Sequence, residues 1–290
     1  MTENACMSRF SNSVELAKSS LGVLQKDKSL ATIPVMSAVA CGIVVLLFGG
    51  AAYLTVDTIT EPGTTTTTWQ VTPATWAIGI VGLLVVGFVA QFFGAVLVAG
   101  ANERLEGGDP TLGSAFRRAS QHGGAILGWA AINATVGAIL QAIRERTGFL
   151  GAIATSLVGM AWNVVTWLAV PAIVVEGLGP IEAIKRSVQL LKQTWGENLI
   201  AQIGLGAIGF LAVLPGLVVS GLLWLVSPIA FIVVFVLWVA AVSVVMTALG
   251  AIYRTALFRF ATGLPNGSDF DPELLAGAFR PKTGASRLLG

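Results

Sequence analysis

Charge is what this sequence has least of. Asp, Glu, Lys and Arg make up 11% of its 290 residues, against about 25% in soluble domains. No charged residue stands from Ser29 to Val56, from Thr147 to Val175, or between Glu197 and Arg254. Such stretches cannot supply the surface of a soluble fold. Each holds the ~20 apolar residues that a membrane-spanning helix needs. Histidine is nearly missing as well. With His122 alone there is no HExxH and no His-rich metal site. Of the two cysteines, Cys6 lies in the polar head and Cys41 inside the first apolar run. That placement predicts no disulfide and no Cys/His cluster. Gly-rich phosphate loops and paired-acid motifs are absent too. Ionisable groups are missing from the middle of every apolar run, which weighs against ion-coupled transport through buried carboxylates. The expectation is no catalytic residue, no metal and no cofactor. A net charge of +2 makes no case for nucleic acid.

What is present is apolar sequence in long blocks. Hydrophobic residues make up 55% of the chain and the mean hydropathy is +0.81. The blocks predict six transmembrane helices, at 31–55, 75–101, 124–143, 148–175, 198–226 and 229–253, in an all-α, polytopic membrane helix bundle. The first 28 residues are polar, so no cleavable signal peptide is expected and the first span serves as the internal targeting signal. Basic residues set the orientation. Of 17 Lys and Arg, only Arg144 and Arg146 fall in connections on one side. The others fall in the head, in the second-to-third and fourth-to-fifth connections, and in the tail. Both termini are therefore expected on the cytoplasmic side of a plasma membrane. The outer loop from Asp57 to Thr75 has no basic residue and reads as a solvated polar linker.

The connections on the basic side repeat a pattern. An amphipathic stretch leads into two apolar runs. In one copy Phe10, Val14, Ala17, Leu21 and Leu24 line one side, with Lys18 opposite. In the next Leu112, Phe116 and Ala119 face away from Arg117 and Arg118. In the third Ile181, Ile184, Val188, Leu191 and Trp195 form the stripe, with Lys185, Arg186 and Lys192 opposite. This is the period of a helix lying in the headgroup plane. Gly-Pro punctuation marks each exit: Glu106-Gly107-Gly108-Asp109-Pro110, Glu176-Gly177-Leu178-Gly179-Pro180 and Thr262-Gly263-Leu264-Pro265. Gly supplies the left-handed cap there. Asp109 and Gly179 then cap the next helices, with Pro110 and Pro180 at their first positions. The organisation predicted is one membrane domain over 1–265, with three interfacial helices on the cytoplasmic side. It is a threefold repeat of interfacial helix plus hairpin, in units 9–101, 110–175 and 180–262. A cytoplasmic tail, 266–290, follows, with a short helix from Asp271-Pro272.

Polar groups within the spans are uncharged. Asn133 and Asn163 stand 15 residues before and after Gly148, the turn between spans three and four. They are expected at one depth, bonding each other or lining a cavity. Pro171 interrupts the fourth span and Pro215-Gly216 the fifth, as packing kinks or as broken helices exposing backbone. With Glu176 these are the cavity or hinge candidates. Trp162 and Trp167 read as core packing or as groove lining.

Pro171, Glu176, Pro180, Ala183, Arg186, Ser187 and Trp195 stand in the order P-x4-E-x3-P-x2-A-x2-R-S-x7-W. That order resembles the cytoplasmic motif of a group of prokaryotic six-span membrane proteins classed as domains of unknown function. It is similar also to the membrane domain of some glycerophosphodiester phosphodiesterases. The resemblance implies an integral membrane protein without assigned activity, and no catalytic residue carries over.

The function expected is non-enzymatic: organising lipid or partner proteins at the cytoplasmic membrane face. The binding candidates are Lys18, Arg117, Arg118, Lys185, Arg186 and Lys192, and anionic lipid headgroups are the expected partners. Nothing indicates an oligomer. The alternative is a transporter or channel for a neutral or lipid-like solute.

Overall fold

A computed structural model describes residues 19–25, 27, 29–60, 67–193, 197–224 and 227–267. Phe10, Val14, Lys18, Trp195 and the tail from Asp271 lie outside these residues.

The charge-free runs become helices, because backbone polar groups in an apolar medium must bond within their own segment. Helix α1 spans Ser29–Tyr53. A two-stranded antiparallel ribbon follows, β1 (Asp57–Thr60) with β2 (Thr67–Gln70), pairing Asp57 with Gln70. The loop read as a plain polar linker is thus a hairpin. Thr72 caps α2 (Pro73–Leu105), its hydroxyl accepting the Thr75 N–H. Next come α3 (Leu112–Gln121), α4 (Gly123–Val165), α5 (Ala169–Glu176), α6 (Pro180–Gln193), α7 (Glu197–Trp224) and α8 (Pro228–Ala261).

Two helices depart from the simple six-span reading. Within α4, Gly148 turns the chain at φ 61° and ψ −153°, a region open essentially to glycine. The turn expected at Gly148 is therefore where it was placed. The fourth span breaks at Thr166–Leu168 and resumes as α5. Pro171 sits one turn past the break. Its ring has no room for the carbonyl of Trp167, four residues back, so the helix yields there. Five segments are long and apolar enough to cross a membrane: Ser29–Tyr53, Pro73–Leu105, Gly123–Phe149, Gly151–Glu176 and Pro228–Ala261. Within α7 the side chains are described from Ile208 on, and Ile208–Trp224 forms a further apolar segment. This is the build of a helical membrane protein with five such spans among the described residues.

Small residues set the hairpin registers. A Cβ on Gly82 would stand 2.7 Å from Phe48 Cβ, and one on Gly100 would stand 2.7 Å from Leu30 Cδ2. Both pairs hold α1 and α2 in one antiparallel register, at the two ends of the hairpin. Between α7 and α8, a Cβ on Gly216 would overlap the Trp238 indole. Close backbone approach at small residues is how membrane helices gain packing energy.

The buried core is not spread evenly. It gathers at one end, where α1, α4 and the short helices α3 and α6 begin and where α2, α5 and α8 finish. Ala95–Ala99, Leu168–Val174 and Ala248–Phe258 lie there, with Ala115, Ala119, Ala183 and Leu190 from α3 and α6. At the other end apolar side chains face outward, among them Leu54 at 83% exposure and Phe149 at 79%. Apolar surface of that extent suits contact with lipid and does not suit water.

Candidate interface at the basic end of the bundle

The two short helices α3 and α6 form where the apolar period placed them. α3 begins differently in detail. Asp109 and Pro110 stay outside it, and Thr111 is the cap. The Thr111 hydroxyl accepts the Ser114 N–H at 3.0 Å, and Ser114 Oγ accepts the Thr111 N–H at 3.0 Å. That reciprocal box satisfies two otherwise orphaned donors, so Asp109 is left exposed beside Arg104. Pro180 does open α6. The exits are glycine as expected, with φ of 86° at Gly107, 68° at Gly177 and 75° at Gly263.

The cations of these helices divide into two kinds. Arg118 Nη1 is 3.2 Å from Glu106 Oε2, and its Nε is 3.5 Å from Glu103 Oε2. Arg186 grips Glu176 in a fork, with Nε at 3.0 and 3.1 Å and Nη2 at 2.8 Å. Each of these arginines thus ties its short helix to the acidic end of the preceding span. Two parallel charge-assisted bonds also fix orientation. Arg117, Lys185 and Lys192 are exposed and make no ion pair among the described residues. Three of the candidate cations are therefore free, two are committed within the protein, and Lys18 lies outside the described residues. Glu176 acts as a clamp, not as cavity lining.

Sequence reasoning missed two residues that build this end. One is Ser187, fully buried on α6. Its hydroxyl donates to the Val165 carbonyl at 2.6 Å and accepts the Leu168 N–H at 3.2 Å. Those are backbone groups released where the fourth span breaks, so Ser187 closes the break. Its only sequence signal was its place beside Arg186 in the motif. The other is Arg259 on α8, 3% exposed. Its guanidinium donates to Asn102 Oδ1 at 2.7 Å, to Glu106 Oε1 at 3.3 Å and to the Pro265 carbonyl at 2.6 Å. Nothing in its spacing marked it out, because its side-chain partners Asn102 and Glu106 are more than 150 residues away in the chain.

The packed face of α6 differs from its apolar stripe. Ala183, Ser187 and Leu190 are buried, together with Leu191 from the stripe. Ile181 is 55% exposed, and Ile184 and Val188 are half-buried. At 100° per residue, Ile181 and Val188 sit about 140–160° from Ala183, beside Lys185 and Lys192. The helix therefore seats one face in the bundle and keeps apolar and cationic groups outward.

The other candidates are packing features. Asn133 and Asn163 stand near one depth, but they do not bond each other. Asn133 Oδ1 accepts the Trp162 indole N–H at 2.9 Å, and Asn163 faces outward. Trp162 stacks on Trp129 at 6.3 Å, and Trp129 in turn donates to Gln91 at 3.3 Å. Pro215 is exposed within α7, and its helix continues through it. One turn earlier the Ala212 carbonyl accepts the Trp238 indole N–H at 2.9 Å. Gly216 is buried against the same ring, so Pro215-Gly216 forms a packing notch. The described residues also line cavities. One of about 240 Å³ lies between α7 and α8 and is wholly apolar. One of about 320 Å³ opens between α1, α2 and α8, and carries Ser37, Ser243 and Thr247.

A comparison with curated proteins returns no match. A family model does match residues 74–268, from the start of α2 to beyond the end of α8. The first span and the ribbon lie ahead of that match, and the whole basic-end network except the start of α1 lies within it. By that match the chain belongs to DUF6159, a family of unknown function.

Proposed function

We propose that this protein is a non-enzymatic, six-span integral membrane protein of a prokaryotic plasma membrane. It organises anionic lipid at the cytoplasmic face, where both termini lie. The repeat of interfacial helix plus hairpin is its unit of construction. One observation carries the reading: Arg118 and Arg186 are consumed by acids of the bundle, while Arg117, Lys185 and Lys192 are left outward and make no ion pair among the described residues. The paired arginines hold each helix in place, and the free cations meet lipid. Ile181 and Val188 beside the lysines supply the apolar edge that dips into the acyl boundary.

Each basic residue near an anionic surface contributes about 1 kcal/mol. Purified protein with R117Q, K185Q and K192Q together should lose most of its enrichment of phosphatidylglycerol over phosphatidylcholine, read by spin-label exchange in mixed bilayers. Unchanged enrichment refutes the reading.

A further inference from the structure

We infer that the groove between α1, α2 and α8 is a binding site for one phospholipid, with its phosphate at Arg254 and an acyl chain along the groove. The inference rests on the lipid-organising reading and adds one defined site to it.

The first support is the groove itself. Its volume of about 320 Å³ falls at the small end of ligand pockets. Its walls are mostly apolar, with Pro34, Gly94 and Ala240 among them. Nothing stands within 4 Å of where a Cβ on Gly94 would be, so its floor is open.

The second support is a set of unused polar groups. Helical hydroxyls elsewhere in this protein bond the carbonyl one turn back: Thr255 to Ala251 at 2.7 Å, Ser220 to Gly216 at 2.6 Å, Thr166 to Trp162 at 2.7 Å. Ser37, Ser243 and Thr247 line the groove. Among the described residues these three make no side-chain hydrogen bond. A dry apolar groove has no use for three idle hydroxyls. The ester and glycerol oxygens of a lipid do.

The third support is Arg254. Its Nε is buried without a hydrogen-bond partner, and it forms no ion pair among the described residues. Arg259, five residues on, has every reach of its guanidinium answered. At 100° per residue, Ser243, Thr247 and Arg254 fall within about 40° of one another around α8. Arg254 lies two turns, about 10.5 Å, past Thr247 toward the basic end. It is also the first charge after the long uncharged stretch that begins past Glu197, which puts it at the headgroup boundary. A guanidinium there with no protein anion among the described residues fits a phosphate, which it can bind in a fork. Charge, hydroxyls and apolar groove follow one helix face in the order phosphate, glycerol, acyl chain.

The test is native mass spectrometry of the full chain in micelles doped with phosphatidylglycerol. The native protein should retain one lipid through activation that strips the rest. R254Q, and separately A240F, which fills the groove without touching the charge, should each weaken that retention at least tenfold. R254K should keep most of it. The R117Q/K185Q/K192Q protein should keep this one lipid while losing the weaker ones. If R254Q and A240F both hold the lipid as the native protein does, the site is refuted, whatever the triple variant does. If the triple variant loses this lipid along with the rest, the site is also refuted while the broader reading stands. Release of the lipid by millimolar inorganic phosphate would refute it too, by making Arg254 a free-phosphate site.

Discussion

Arg259 offers the sharpest test of how the basic end is held. Replacing it by Met keeps the length and apolar stem of the side chain and removes the guanidinium. Asn102, Glu106 and the Pro265 carbonyl then lose a donor together. Breaking a buried pair costs roughly 3–5 kcal/mol when the remaining charge stays buried. Glu106 is 41% exposed and also bonds Arg118 and Asn102, so water and those partners recover part of that. The carbonyl and Asn102 are less fortunate, and a hydrogen bond from a charged donor is worth about 1.5–3 kcal/mol. We expect R259M to destabilise the fold by about 2–4 kcal/mol. R259K should recover less than half, because an ammonium cannot span three acceptors in a plane. The assay is thermal unfolding in detergent, read by thiol labelling of half-buried Cys41 in a C6S background. A shift of R259M below ~0.5 kcal/mol, the scale of a neutral surface change, would refute the clamp.

Ser187→Ala should destabilise by about 2 kcal/mol in the same assay, because it strands a buried N–H and a buried carbonyl at the break before α5; a change within error would mean that water closes the break. Asn133→Ala should lower stability by ~1 kcal/mol by stranding the Trp162 indole N–H, while Asn163→Ala stays neutral. Equal effects from the two asparagines would restore the mutual pair that the sequence suggested.

Which parts of this protein could be read from its sequence follows from how local each feature is. Apolar length marks a spanning helix because the backbone must bond within the segment, so the runs at 31–55, 75–101 and 229–253 needed no tertiary information. Gly107, Gly177 and Gly263 were legible for the same reason, since a left-handed cap is a property of one residue. The depth match of Asn133 and Asn163 followed from counting outward from Gly148. Their partners did not, because a shift of one residue along a helix turns a side chain by about 100°. That difference sends Asn133 toward Trp162 and Asn163 outward. The cations were hardest. Charge and amphipathic period place Arg117 and Arg118 side by side, yet only Arg118 meets Glu103 and Glu106. The choice is made by the seating of α3 on α2, which no local pattern encodes. For α6 the stripe named the apolar residues correctly but not the docked face. Ala183 and Ser187 dock because they are small enough for close approach.

The uneven core bears on the choice between a static organiser and a transporter. A transporter must open each side in turn around a central site. Here polar contacts tie the basic end in two sets: Arg259 joins α8 to α2 and Arg118 joins α3 to α2, while Arg186 joins α6 to α5 and Ser187 joins α6 to the broken span. Opening either set would break its ties together, and parting α8 from α2 would expose the apolar core of Ala95–Ala99 and Ala248–Phe258. At ~1 kcal/mol for each ordinary bond and more for each charged one, the cost exceeds the few kcal/mol that separate the states of an alternating protein. At the opposite end the close of α1 is tied to the start of α2 by Thr72 and Thr75, whose hydroxyls each donate to the Thr55 carbonyl at 2.9 Å. Ties of this kind at the basic end suit the proposed organiser, which would present a fixed array of cations to lipid.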